Sequence, residues 1–149
     1  MDFIVATDGS STSDTAIEHA LTIVERMGAS LTAVHAVDPS VYEEPSGDPV
    51  ASLGEAERHL IIESVEEAEE RGEEILDDAI DLAHSHGVEI RTELLYGDPT
   101  RVIPTYAQEE EMDGIFVGHR GLSRSHERAL GSVAKAIVDR TPIPVTIVR

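Results

Sequence analysis

The fold is decided by a stretch near the N-terminus, residues 3–10, which reads FIVATDGS. A short apolar run that ends in turn residues is typical of a buried strand followed by a turn. Residues 10–14 supply several N-capping side chains, and apolar residues then recur at three- and four-residue spacing as far as Gly28. The stretch therefore predicts a buried strand, a turn and an amphipathic helix.

The same alternation of strand-like and helix-like segments continues to the end of the chain. Further strands are predicted at residues 31–37, 88–95, 115–117 and 145–148. Between them the sequence predicts a helix of about 30 residues that stops at Gly87, a helix after the turn at 97–99, and a helix at 132–140. Five strands that alternate with helices predict a single α/β domain, residues 1–149, with an open, doubly wound and mainly parallel sheet. Such sheets bind ligands at the carboxyl ends of their strands.

Some local features qualify this prediction. Residues 38–54 contain several prolines and glycines and predict a long loop. Gly72 weakens the prediction of an unbroken long helix. Pro104 lies well inside the following helix, which we expect to be kinked or to begin late. His35 is interpreted as a partly buried strand histidine.

The composition excludes several classes of function. There are 30 acidic and 11 basic residues, and the net charge of −19 argues against affinity for nucleic acid or for an anionic membrane. No apolar run is long enough for a membrane span, and the N-terminus does not resemble a signal peptide, so a cytoplasmic location is expected. The absence of cysteine excludes disulfides and thiolate chemistry. Lys135 is the single lysine. With the acid excess, this indicates either a halophilic protein or simply an acidic, soluble one.

The charge is unevenly distributed along the chain. Residues 114–149 contain six basic and two acidic residues, a net charge of +4, so residues 1–113 carry −23. The positive part contains the segment that carries most chemical information, residues 118–132, GHRGLSRSHERALGS. Its glycines allow backbone N–H groups to face a ligand, and its last two residues begin a helix, whose dipole favours an anion. The segment predicts phosphate binding, although a glycine-rich loop alone is weak evidence.

The spacing in this segment is more specific than its composition. Glycine, two residues, glycine, nine residues and Gly-Ser resembles the ATP-binding signature of the universal stress protein family. Residues 4–10, 31–38, 97–99 and 143–148 also resemble segments of that family. The resemblance implies an adenine nucleotide alpha hydrolase-like fold with strand order 3-2-1-4-5, and a dimeric, nucleotide-responsive regulator. It further implies ATP as the ligand and a homodimer formed through Val145 to Val148. Any metal is expected to be Mg²⁺ that arrives with the nucleotide phosphates.

The resemblance also implies which residues touch the nucleotide. The end of the first strand (Ala6, Thr7, Asp8) lies near ribose or phosphate, and the second strand (Val34, Ala36) lies near adenine. The phosphates are expected against Gly118, Gly121, Gly131, Ser132 and Val133. The loop is more basic than in many members, and Arg120 is included in the site for its charge. His119 departs from the family, which often has a small hydroxyl residue there.

Other interpretations of these residues stay open. Asp8 could be only the N-cap of the first helix, Ser132 a plain cap, and Arg120 and Arg124 partners of the acidic surface. The sequence has no P-loop lysine, nucleophile elbow or His-Glu-x-x-His motif, so an enzyme is not favoured. A slow ATPase or nucleotidyl-transfer enzyme, and a nucleotide-free dimerisation scaffold, are the alternatives.

Overall fold

The computed structural model describes residues 1–39, 54–121 and 130–149, and the side chains of these residues except 54–64. Strands and helices alternate along the described chain. In order they are β1 (Asp2–Ala6), α1 (Ser11–Met27), β2 (Ser30–Val37), α2 (Gly54–Ser85), β3 (Arg91–Tyr96), α3 (Pro99–Glu109), β4 (Gly114–Gly118), α4 (Ser132–Arg140) and β5 (Val145–Val148). Most of the predicted 38–54 loop lies outside the described residues. No helix within them combines the length and apolar character needed to cross a membrane.

The strands form one sheet in the order β3-β2-β1-β4-β5, and every neighbouring pair is parallel. The helices α1 and α2 cover one face, and α3 and α4 cover the other. Successive residues of β1 serve the two faces in turn: Val5 packs with α1 and α2, and Ile4 with α3 and α4. Both are completely buried, as expected of a strand between two helical layers. The predicted fold class and strand order are confirmed.

The start of β3 differs from the prediction because of the way α2 ends. The N–H of Val88 donates to the Ala83 carbonyl oxygen at 3.0 Å, and Gly87 adopts a positive φ of 73°. Both features belong to a helix C-terminus closed by a left-handed residue. The strand therefore begins at Arg91, beyond the predicted start at Val88.

Gly72 does not interrupt α2. A Cβ atom at this position would lie 2.8 Å from Leu94 Cδ1 and 2.9 Å from His35 Cδ2. Both distances are shorter than real Cβ contacts, so a larger residue would push the helix away from β2 and β3. The glycine is explained by close packing of the helix on the sheet.

Pro104 lies inside α3, and the helix nevertheless begins at Pro99, so a late start is wrong; the kink stays a prediction. Proline has no N–H to donate to the carbonyl oxygen four residues earlier, which belongs to Thr100. Arg140 of α4 supplies a donor instead. Its Nη1 lies 3.4 Å from the Thr100 carbonyl oxygen and 3.1 Å from Thr100 Oγ1. The hydrogen bonds from Arg140 to Thr100 thus link α4 to α3.

We expect Arg140→Ala to lower the free energy of unfolding by about 0.5–1 kcal/mol, because Thr100 loses this donor. In a Pro104→Ala background the residue at 104 has its own N–H, so the same change should cost less. Chemical denaturation of the four proteins measures the difference. Arg26→Ala is the matched control, since Arg26 also lies in the last turn of its helix. An equal cost in both backgrounds would contradict this role for Arg140.

Carboxylates crowd the junction of α1 and α2. Partial burial, together with the negative charges of Asp78, Glu18 and Asp8, raises the pKa of the Asp14 carboxyl above its ordinary value of 3.8. An acid whose pKa is raised by folding binds its proton more tightly in the folded state. The contribution of Asp14 to the stability of the fold is therefore lost as pH rises from about 4 through the raised pKa. At neutral pH, Asp14 opposes folding.

We expect Asp14→Asn to raise Tm at neutral pH and low salt. The gain should shrink in molar salt, which screens exposed charges, and at acidic pH, where Asp14 of the wild type is protonated. Thermal unfolding over a grid of pH and salt measures it, with the exposed Asp139→Asn on α4 as control. A gain that is the same at low and molar salt would show that repulsion is not its cause.

Candidate functional site

A cavity of about 310 Å³ opens at the carboxyl ends of β1, β2 and β4. This is the point at which the strand order reverses, because β1 is followed on one side by β2 and on the other by β4. The loops that follow β1 and β4 leave toward opposite faces of the sheet, and a crevice forms between these two loops. The predicted site residues that line the cavity are Ala6, Thr7, Asp8, Ala36, Gly118, Arg120, Gly121, Gly131, Ser132 and Val133.

Val34 is the predicted site residue that does not line the cavity. Its side chain is completely buried in the core beneath α3 and α4. Its carbonyl oxygen accepts the N–H of Thr7 at 2.9 Å. Val34 therefore pairs with the end of β1 within the sheet, and it is not among the residues that line the cavity.

The cavity also includes residues that the sequence analysis did not assign to the site: Ser13, His35, Pro99, Ile103, Val117 and Ala134. His35, Val117 and Ala134 each adjoin a predicted residue, so chain proximity could have suggested them. Pro99 and Ile103 come from α3, and their approach depends on how that helix packs across the sheet. Local sequence carries no signal for that placement.

The turn after β1 is held by buried hydroxyl groups. Thr7 Oγ1 accepts the N–H of Gly9 at 3.3 Å and lies 3.1 Å from Ser13 Oγ. Ser13 in turn donates its hydroxyl to the Ser10 carbonyl oxygen at 2.8 Å. Because Thr7, Ser10 and Ser13 are buried, these bonds are protected from competition with water. These hydrogen bonds hold the turn in its conformation.

Asp8 follows Thr7 in this turn and faces the loop after β4. Its Oδ1 accepts the N–H of Ser10 at 3.0 Å, and a Cβ at Gly121 would lie 2.5 Å from its Oδ2. The interpretation of Asp8 as the N-cap of α1 is wrong, because Ser10 occupies that position and accepts the N–H of Ser13. The carboxylate is thus placed at the cavity, pressed against the backbone of the β4 loop.

The glycines of the β4 loop are needed for close approach. A Cβ at Gly118 would lie 3.0 Å from the Thr12 carbonyl oxygen, and one at Gly131 would lie 3.1 Å from the His119 carbonyl oxygen. That carbonyl also accepts the N–H of Gly131 at 2.6 Å. None of the three loop glycines has a positive φ, so the reason for glycine is size and not a left-handed turn. The two ends of the loop are joined directly.

The start of α4, which follows this loop in the chain, lines the cavity. Gly131 is the N-cap, so the interpretation of Ser132 as a plain cap is wrong. Gly131 has no side chain with which to cap this helix, whereas Ser10 caps α1 and Asp98 caps α3. The first N–H groups of a helix have no partner within the helix, and its dipole is positive at this end. The start of α4 is therefore suited to an anion.

Two side chains add to the polar wall. The Arg120 side chain lines the cavity, and its Nε donates to His119 Nε2 at 3.3 Å. A neutral His119 then carries its proton on Nδ1, which is buried without an acceptor among the described residues. Arg124 and Arg128 lie outside the described part of the chain. Within that part, no group of three or more histidines or acidic residues could hold a metal ion.

The donor set of the cavity fits a nucleoside phosphate. Ala6, Ile103 and Val117 supply apolar surface for a flat base, and the α4 N-terminus with Arg120 supplies N–H groups and positive charge for phosphate. Asp8 is an acceptor suited to hydroxyl groups.

Comparison with known proteins agrees with this geometry. A model of the universal stress protein family matches residues 1–149. A universal stress protein of Methanocaldococcus jannaschii is 32% identical over 146 residues, which cover 98% of this chain and 80% of the relative. The structure of a universal stress protein from Lactobacillus plantarum has a TM-score of 0.81 at 28% identity, covering 100% of this chain and 97% of that chain.

A second solved structure, a universal stress protein in complex with cAMP, has a TM-score of 0.67 at 26% identity, covering 100% of this chain and 97% of that chain. The fold with its strand reversal and crevice defines an α/β protein of the doubly wound class. The chain belongs to the universal stress protein family.

Proposed function

We propose that this chain binds an adenine nucleotide, with ATP as the expected ligand, and acts as a nucleotide-responsive regulator. The observation that carries the proposal is the start of α4, which lines the cavity and has a glycine, Gly131, as its N-cap. A helix N-terminus of this kind beside an arginine is a ready anion site. The similar structure in complex with cAMP supports adenine as the base.

The proposed pose follows from the distribution of groups along the cavity. Phosphates lie against Gly118, Gly121 and Gly131 and receive N–H groups from Ser132 and Val133. The ribose lies near Asp8, whose carboxylate can accept from its hydroxyls. Adenine lies beside Ala36, between β2 and the apolar residues of α3. Any Mg²⁺ would arrive with the phosphates, which supply the oxygen ligands that it prefers.

The assembly and the setting are part of the same proposal. β5 is the last strand of the sheet, with β4 as its neighbour, so the backbone of Val145 to Val148 has an edge available for a second copy of the chain. A homodimer through this strand is the proposed assembly, in the cytoplasm. The acid excess and the single lysine support a protein adapted to high salt.

A proline at position 132 tests the phosphate site without disturbing the helix. Ser132 is the first helical residue, where proline is well tolerated, and Gly131 before it has φ −61° and ψ 153°, which suit a residue preceding proline. The substitution removes one N–H from the proposed phosphate cradle. We expect Ser132→Pro to weaken ATP binding about tenfold, since bonds to charged groups are strong.

Ser132→Ala is the matched control, because it keeps the N–H, and its affinity should stay within about threefold of the wild type. Calorimetry with ATP, ADP and AMP in molar salt gives the affinities, and thermal unfolding checks that both variants fold. Equal affinities of the two variants for ATP would show that the α4 N-terminus does not bind the phosphates. No heat from the wild type with any of the three nucleotides would defeat the proposed function.

A further inference from the structure

His35 joins three elements at the edge of the cavity. His35 is one of the residues that line the cavity, and its Nδ1 lies 2.8 Å from the Thr7 carbonyl oxygen. Because a carbonyl oxygen can only accept, Nδ1 carries a proton and donates it to Thr7. On its other side the ring meets α2, where a Cβ at Gly72 would lie 2.9 Å from His35 Cδ2. The ring is clamped between the α2 backbone and the turn after β1.

The bond from His35 completes the fixation of Thr7. The Thr7 N–H donates to the Val34 carbonyl oxygen, and its hydroxyl is engaged by Gly9 and Ser13. The Thr7 carbonyl is the remaining polar group, and His35 holds it. This carbonyl belongs to the same planar peptide unit as the Asp8 N–H. Holding the carbonyl therefore fixes the direction in which the chain enters Asp8.

We infer that His35 is a positioning residue of the nucleotide site: its Nδ1–H orients the Thr7–Asp8 peptide and thereby keeps the Asp8 carboxylate against Gly121, at the cavity. The inference rests on the proposed function for its consequence in binding. Its structural part, the control of the Asp8 backbone, does not depend on any ligand. A histidine that only fills space would have neither effect.

Two substitutions separate donation from filling of space. The side-chain amide of His35→Asn can place its nitrogen near the position of Nδ1, whereas His35→Leu is apolar and of similar bulk but has no donor. We expect His35→Leu to weaken ATP and AMP binding about tenfold and His35→Asn to stay within about threefold of the wild type, as for other groups that orient a ligand-binding residue. Equal losses in the two variants, or no loss in either, would overturn the inference.

A double-mutant cycle tests whether the effect passes through Asp8. In an Asp8→Asn background, His35→Leu should weaken AMP binding by less than about threefold, because the contact that it misplaces is already lost. A full tenfold loss in that background would show that His35 acts on the ligand directly. If Asp8→Asn binds too weakly to titrate, the amide signals of the ligand-free protein decide the question.

The ligand-free measurements also distinguish this inference from the proposed function. In ¹⁵N NMR spectra, His35→Leu should shift the amide signals of Asp8 and Gly9, and His35→Asn should restore them. In the wild type, the ring signals should show a protonated Nδ1, which requires no variant to fold. A wild type that binds no nucleotide but shows these signals defeats only the function. An unprotonated Nδ1, or unshifted amides in His35→Leu, overturns the positioning role.

Discussion

The parallel pairing of β1 with β2 on one side and β4 on the other is the constraint on which the rest of the structure depends. Parallel neighbours require crossover connections, and these are right-handed, so the helices that follow β1 and β4 lie on opposite faces of the sheet. The loops at the two carboxyl ends must diverge. The crevice between these loops is thus a consequence of strand order and chain direction, and it does not depend on particular side chains.

Close backbone approach turns that crevice into a defined cavity. The β4 loop touches α1 at Gly118 and Asp8 at Gly121, and it returns to its own first residue at Gly131. On the facing side, buried hydroxyl groups and His35 fix the turn after β1. Groups that hydrogen bonds within the protein already hold need less ordering when a ligand binds. The start of α4 has a glycine as its N-cap, so its first N–H groups are suited to a bound anion.

Much of the fold could be predicted from the sequence. Apolar runs and helical spacing predicted the order of strands and helices, and Gly28 and Pro99 marked helix ends where the structure has them. The predicted site residues, taken together, include ten of the sixteen that line the cavity. The late start expected for α3 was wrong, and Gly72 does not interrupt the long helix that the sequence predicted. Pro104 is tolerated in α3 because Arg140 replaces its missing donor, and Gly72 is required because His35 and Leu94 lie close to it.

The sequence by itself determined the class of fold, the family and the segment that carries the phosphate motif, because periodicity and motif spacing are local properties of the chain. Only the tertiary structure decided that Val34 lies beneath the cavity, that His35 holds Thr7, and that Asp8 meets Gly121. These contacts join residues that are far apart in sequence. Their geometry depends on sheet order and on the distance between layers, which spacing along a single chain does not contain.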